Sequence, residues 1–200
     1  MGPTSDEQYH LGMWNYERFD LLSAYTLFCS AAGRGHARAC YAAALCCENG
    51  WGTERDEDEY RRWVLLGVSR NDPACVSEAY LEGIGVEVDY EKSVEIGEKA
   101  AEEGDSFLRI SIGFLLLGTE DRWRRGFDWI VKGVSEGCGA TWMHALLLLE
   151  NLAPPEAVLA YLDRTRNTYQ GHPVLSRLAE TMGYHMACRV TLRERAEEKN

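Results

Sequence analysis

The feature that most limits what this chain can fold into is a spacing. Gly35, Asn71, Gly104, Gly137 and Gly171 follow one another at intervals of 36, 33, 33 and 34 residues, each where a helix-forming stretch gives out. Glycine and asparagine readily take the left-handed conformation that ends an α-helix. A period in the mid-thirties is the length of one two-helix unit, so the chain reads as a stack of such units. No segment shows the period-two alternation of a half-buried strand.

The unit that ends at Gly104 shows how the repeat works. Gly83-Ile84-Gly85-Val86 supplies a tight turn, Asp89 is placed to cap the next helix, and the small Ala100 and Ala101 let neighbouring helices approach closely. The same slots hold Gly50-Trp51-Gly52, Asp56, Tyr60, Trp63 and Gly67-Val68 upstream, and Arg125-Gly126, Trp129 and Gly133-Val134 downstream. Further out the match fades, through Asp20, Ala24 and Ala31-Ala32 at the front and Glu156, Ala160 and Asp163 at the back. Asp72-Pro73, Pro154-Pro155 and His172-Pro173 open helices, since proline is tolerated in a first turn. The expected fold is all-α: a right-handed α/α solenoid of about five antiparallel helix pairs plus a C-terminal capping helix from about Pro173 to Arg195. The expected layout is a flexible N-terminus over 1–8, one solenoid over 9–195 and a charged tail over 196–200.

The stretch from Ala79-Tyr80-Leu81-Glu82-Gly83 through Asp89-Tyr90-Glu91-Lys92-Ser93 to Lys99-Ala100-Ala101-Glu102-Glu103-Gly104 resembles the Sel1-like repeat (SLR) family, a relative of the tetratricopeptide repeats. It reproduces the family's tyrosine, Gly-x-Gly-Val, Asp-x-x-Lys and Ala-Ala-x-x-Gly positions. Leu11-Gly12 supplies the Leu-Gly pair of a first unit, and the likeness covers roughly residues 10 to 180. Two departures stand out: the helix before Gly83 is three residues short, and the Gly-x-Gly loop is lost after Leu117. The resemblance implies a scaffold for protein assembly, without naming what is bound.

Composition narrows the function. A net charge of -11 makes most of the surface repel a nucleic-acid backbone. The densest basic stretch, Arg189 with Arg193 and Arg195, runs into Glu194, Glu197 and Glu198. No apolar run approaches the roughly 18 residues that suggest a membrane span, and Met1 to His10 lacks the apolar core of a secretory signal. Seven cysteines without regular spacing suit buried thiols in a reducing compartment, so a cytoplasmic location is expected. Gly-x-Ser-x-Gly, His-Glu-x-x-His and phosphate-loop motifs are all missing, and no cofactor, catalytic group or enzyme activity is expected.

Tetratricopeptide-type arrays present the first helix of each pair on the concave side, and slot by slot this selects the partner-binding candidates. They are Tyr9, Met13 and Tyr16; Arg38, Tyr41 and Glu48; Glu78 and Leu81; Phe107, Ile110, Phe114 and Leu117; then Met143, Leu147 and Glu150. About half of these are expected to fill space between neighbouring pairs and the rest to meet a partner. The reading is a non-catalytic adaptor that holds one protein or peptide, and the acidic balance leaves room for a basic one. An immunity-type inhibitor of a basic toxin fits the same charge argument. A third reading, a metal-binding or redox protein, rests on Cys29, Cys46 and Cys47 with His36 and Cys40, the last two sharing a helical stripe with Cys47.

Overall fold

The computed structural model describes residues 2–104, 106–117, 123–136, 139–171 and 173–197, and among them every regular element is helical. The side chains of Phe107 and Leu117, and residues Gly137, Cys138 and His172, lie outside the described residues. The chain divides into two compact units, Met1–Glu103 and Gly104–Asn200, with the division falling inside the stretch expected as one array.

In the first unit the helices pair in order: α1 (Ser5–Tyr16) with α2 (Leu21–Gly33), α3 (Ala37–Asn49) with α4 (Glu57–Ser69), and α5 (Pro73–Glu82) with α6 (Tyr90–Glu103). Successive pairs are joined by packing of α2 on α3 and of α4 on α5, and α3 also touches α5 directly. The helix starts follow from the capping residues. Asp56, Asp72 and Asp89 accept hydrogen bonds from the backbone amides of Glu59, Cys75 and Lys92 at 2.9, 3.0 and 3.0 Å. Each satisfies one of the amides that a helix leaves unpaired at its N-terminus. Gly83 ends α5 with φ of 68°, a conformation that costs glycine least, and its amide bonds back to the Ala79 carbonyl. The ten-residue α5 is the shortest helix of this unit, as the missing residues before Gly83 suggest.

Helix α1 begins at Ser5, inside the stretch expected to be flexible. The reason is a capping box: Thr4 accepts from the Glu7 amide at 3.1 Å while the Glu7 carboxylate accepts from the Thr4 amide at 2.7 Å.

The second unit continues with α7 (Ser106–Leu117), α8 (Trp123–Glu136), α9 (Gly139–Leu152), α10 (Pro155–Arg164), the short α11 (Arg166–Tyr169) and α12 (Pro173–Glu197). Helices α7 and α8 form the most extensive pair, α9 packs on both and on α10, and α12 lies against α10 and α11. The core is built from Ile130, Val134, Trp142, Leu146, Leu149 and Tyr161, all fully buried. Leu175, Ala179, Met182 and Met186 form the stripe by which α12 joins it. No helix among the described residues is long and apolar enough to cross a membrane.

Candidate functional site

Unit 1 brings the first helices of its second and third pairs side by side, and their side chains define the candidate face. Spacings of three, seven and ten residues put Arg38, Tyr41, Leu45 and Glu48 along one stripe of α3, and Glu78 and Leu81 follow on α5. The aromatic members are spent on packing. Tyr41 is 2% exposed, Tyr9 lies 4.4 Å from the His36 ring and 5.9 Å from Phe28, and the buried Tyr16 packs against Trp51. Met13, Arg38, Glu48, Glu78 and Leu81 remain half-buried, with part of each side chain reaching solvent.

Two non-local contacts set the electrostatics of this face. Arg38 Nε donates to Asp72 Oδ2 at 2.8 Å, and the other oxygen of Asp72 caps α5, so one buried carboxylate ties α3 to the start of α5. Tyr60 on α4 donates its hydroxyl to Glu78 Oε1 at 2.7 Å. Burial pushes the Glu78 carboxyl up to about 7, the Tyr60 hydrogen bond resists that rise, and the neighbouring Glu48 and Glu82 add to it. Glu48 is raised as well, by burial and by Glu82, with Arg55 opposing. Glu48 and Glu78, both raised, therefore form an acidic patch on α3 and α5 beside Glu82 and the Tyr60 hydroxyl of α4.

Sequence reasoning reached Arg38, Glu48 and Glu78 but missed Asp72, Tyr60 and Glu82. Arg38 and Asp72 are opposite charges 34 residues apart. Asp72 caps α5 as His36 caps α3, whereas Arg38 stands two residues into α3, so the pair joins unlike slots of neighbouring repeats. Tyr60 and Glu78 sit on adjacent pairs in unlike slots, and no local pattern marks them.

In unit 2 the candidates divide similarly. Ile110 is buried in the core, while Phe114 and Met143 are half-buried and lean on that core. Leu147 is 42% exposed on α9, and Glu150 is half-buried one turn further along.

The cysteine and histidine positions serve the fold. His36 Nδ1 accepts from the Ala39 amide at 3.0 Å, making this ring the N-cap of α3, and burial lowers its basicity. Cys40 Sγ meets the His36 carbonyl at 3.8 Å and Arg70 at 3.2 Å, whereas Cys47 Sγ donates to the Tyr25 hydroxyl at 3.6 Å. No group of three or more His, Cys, Asp or Glu side chains comes together at metal-binding distance among the described residues. Burial pushes the Cys29 thiol up to about 11, and Cys46 and Cys75 higher still. The thiolate is the reactive form, so these thiols are held in their inert state at neutral pH. Of the six described cysteines, Cys188 alone is exposed and is expected to react with a thiol reagent at pH 7.5 within minutes. Peptide mapping after brief alkylation checks this, and rapid labelling of Cys29, Cys46 or Cys47 would revive the redox reading.

Antiparallel helix pairs capped by aspartate and closed by left-handed glycine place the chain among the helical-repeat proteins. The Sel1 repeat family model matches residues 37–63 and 74–105, which hold α3 with half of α4 and then α5 with α6. Those two segments are Sel1 repeats. Sel1 repeats typically build non-catalytic scaffolds that mediate protein-protein interactions. Among solved structures, the chain is similar to a Sel1 repeat protein from Oxalobacter formigenes, at 20% identity over 84% of this chain and 76% of that one, with a TM-score of 0.41. It is also similar to c5321, a protective antigen of uropathogenic Escherichia coli displaying an SLR fold, at 20% identity and a TM-score of 0.40. That match covers 90% of this chain and 42% of the antigen.

Proposed function

We propose that this Sel1-repeat scaffold is a non-catalytic adaptor that holds a basic segment of one protein partner against the α3 and α5 face of its first unit. The observation that carries the reading is the pair of half-buried carboxylates, Glu48 and Glu78, kept in a state that a cation relieves. A lysine or arginine entering the patch would pair with Glu78 and neutralise the repulsion from Glu48 and Glu82. The formal charge of -11 adds long-range attraction for such a segment. An immunity-type inhibitor of a basic toxin would use the same face, so the chemistry of the docking segment is common to both roles. Free, buried thiols support a reducing, cytoplasmic setting.

The sign of the pH dependence follows from the carboxyl. In the free protein Glu78 keeps its proton up to about pH 7. A bound cation favours the carboxylate, so binding releases a proton and strengthens as pH rises from about 5.5 to 8. Selection from a random displayed peptide library at pH 8 is expected to enrich lysine and arginine. The selected peptides should weaken roughly tenfold at pH 5.5 or in Glu78→Lys. Enrichment without basic residues, or binding indifferent to Glu78→Lys in a folded variant, would reject the reading.

The same shift predicts a stability effect. Folded Glu78 holds its proton more tightly than the unfolded chain, so stability is lost as pH rises from about 4.5 to about 7. Glu78→Gln keeps an oxygen for the Tyr60 hydroxyl without the buried charge. It should be more stable than the parent at pH 8, by on the order of 2 kcal/mol, and nearly equal to it at pH 4.5. Urea unfolding at the two pH values measures the difference.

A further inference from the structure

Helices α10, α11 and α12 enclose an open cleft of about 390 Å³ in the second unit. That volume lies within the roughly 300–1,000 Å³ usual for binding pockets. Its floor is apolar, formed by Leu159 and Leu162 of α10 with Ala179 and Gly183 of α12. Tyr169 forms one wall, its ring held 5.0 Å from the buried Trp142 ring. The rim carries three charges. Asp163 and Arg166 are paired at 3.1 Å, and Glu180 has no ion pair among the described residues, which leaves the mouth with one net negative charge.

Gly183 is the unexpected residue. It lies well inside α12, where glycine is less favourable than alanine. A Cβ built on it would meet only Leu162 Cδ1, at an ordinary contact distance of 3.6 Å. At Gly113 the same atom would fall 2.8 Å from the Gly126 carbonyl oxygen of the facing helix. Packing therefore demands glycine at 113 and does not demand it at 183. Gly183 therefore lines the cleft with no side chain of its own to occupy it.

We propose that this cleft is a second binding site, which takes an apolar side chain flanked by lysine or arginine from a peptide segment of a protein partner. The apolar group seats between Leu159, Leu162 and Gly183, displacing water from the floor. The adjacent cation meets Glu180 at the rim, so an acidic flank is repelled.

The probe is a short capped peptide with one phenylalanine between lysines, titrated into the ¹⁵N-labelled full chain and followed by NMR. Saturable shifts are expected at Gly183, Ala179 and Leu162. Gly183→Leu, which fills the floor, should raise Kd by roughly tenfold or more, and the counterpart peptide with glutamates should bind roughly tenfold more weakly than the lysine peptide. Gly183→Ala is the folding control, expected to keep the fold and gain thermal stability. Glu180→Lys changes an exposed rim position and should also weaken binding roughly tenfold, which keeps the test decisive if Gly183→Leu fails to fold. Glu78→Gln should leave this binding unchanged. The site is overturned if no saturable shift appears at these residues, if Gly183→Leu or Glu180→Lys binds like the parent, or if the acidic peptide binds equally. Loss of probe binding in Glu78→Gln would move the probe to the α3 and α5 face and also overturn it.

Discussion

Trp142→Ala is expected to destabilise the protein by about 4 kcal/mol, a large share of what holds a domain of this size together. The indole is fully buried between α9 and α10, with the Tyr161 and Tyr169 rings at 6.1 and 5.0 Å. It also belongs to a closed set of three hydrogen bonds. Trp142 Nε1 donates to Thr165 Oγ1 at 2.9 Å, the Thr165 hydroxyl donates to the Tyr161 carbonyl at 2.7 Å, and the Tyr161 hydroxyl donates to the Trp142 carbonyl at 2.9 Å. Alanine would leave a cavity at the centre of the unit and remove a donor from the buried Thr165. Trp142→Phe keeps most of the volume and loses only the donor, so it should cost about half as much. Urea denaturation of both variants makes the comparison. Equal losses would assign the stability to the hydrogen-bond set, and no loss in either would show that α9 and α10 are held by other contacts.

The parts of this structure that were legible in the sequence are those decided within one or two turns of chain. Asp56, Asp72 and Asp89 were readable as caps because a cap depends on the amides two or three residues ahead of it. Gly83 was readable because a left-handed residue is a local requirement. The Thr4 and Glu7 capping box carries an equally local signal, Thr-x-x-Glu, and it moves the start of α1 forward to Ser5. Slot phase, in contrast, gives the side of a helix on which a residue stands but not whether a neighbouring pair covers it. Tyr9, Tyr16, Tyr41 and Ile110 stand in the slots assigned to a partner and are buried within their own unit. Their ring or chain length reaches the next helix, and that depends on inter-pair distances which the repeat period does not contain. Glu48, Glu78 and Leu81, in slots of the same kind, are only half-buried. The proton-retaining character of Glu78 comes from burial and from the neighbouring Glu48 on another pair, with the Tyr60 hydrogen bond opposing it, so it emerges only when the pairs are stacked.

Gly67 separates helix propensity from packing by the sign of a single measurement. It lies on α4 in the slot that Ala100 fills one repeat later, where α3, α4 and α5 converge. A Cβ at this position would stand 2.7 Å from Cys75 Cβ, closer still to its sulfur, and 3.2 Å from Cys40 Cβ. Both cysteines are fully buried, and Cys75 is fixed on α5 two residues after its proline, so neither helix can yield without opening the interface between pairs. Propensity alone would make Gly67→Ala more stable by about 1 kcal/mol, as expected for Gly183→Ala. Overpacking reverses the sign at 67, to a loss of about 2 kcal/mol, and Gly67→Val should lose about 3 kcal/mol or more. Cys75→Gly combined with Gly67→Ala returns the space that the new methyl needs. The pair should therefore be more stable than the sum of the two single losses by about 1 kcal/mol or more, because the groups touch. A stabilised Gly67→Ala, or a pair that is simply additive, would mean that α4 and α5 are not packed through this contact.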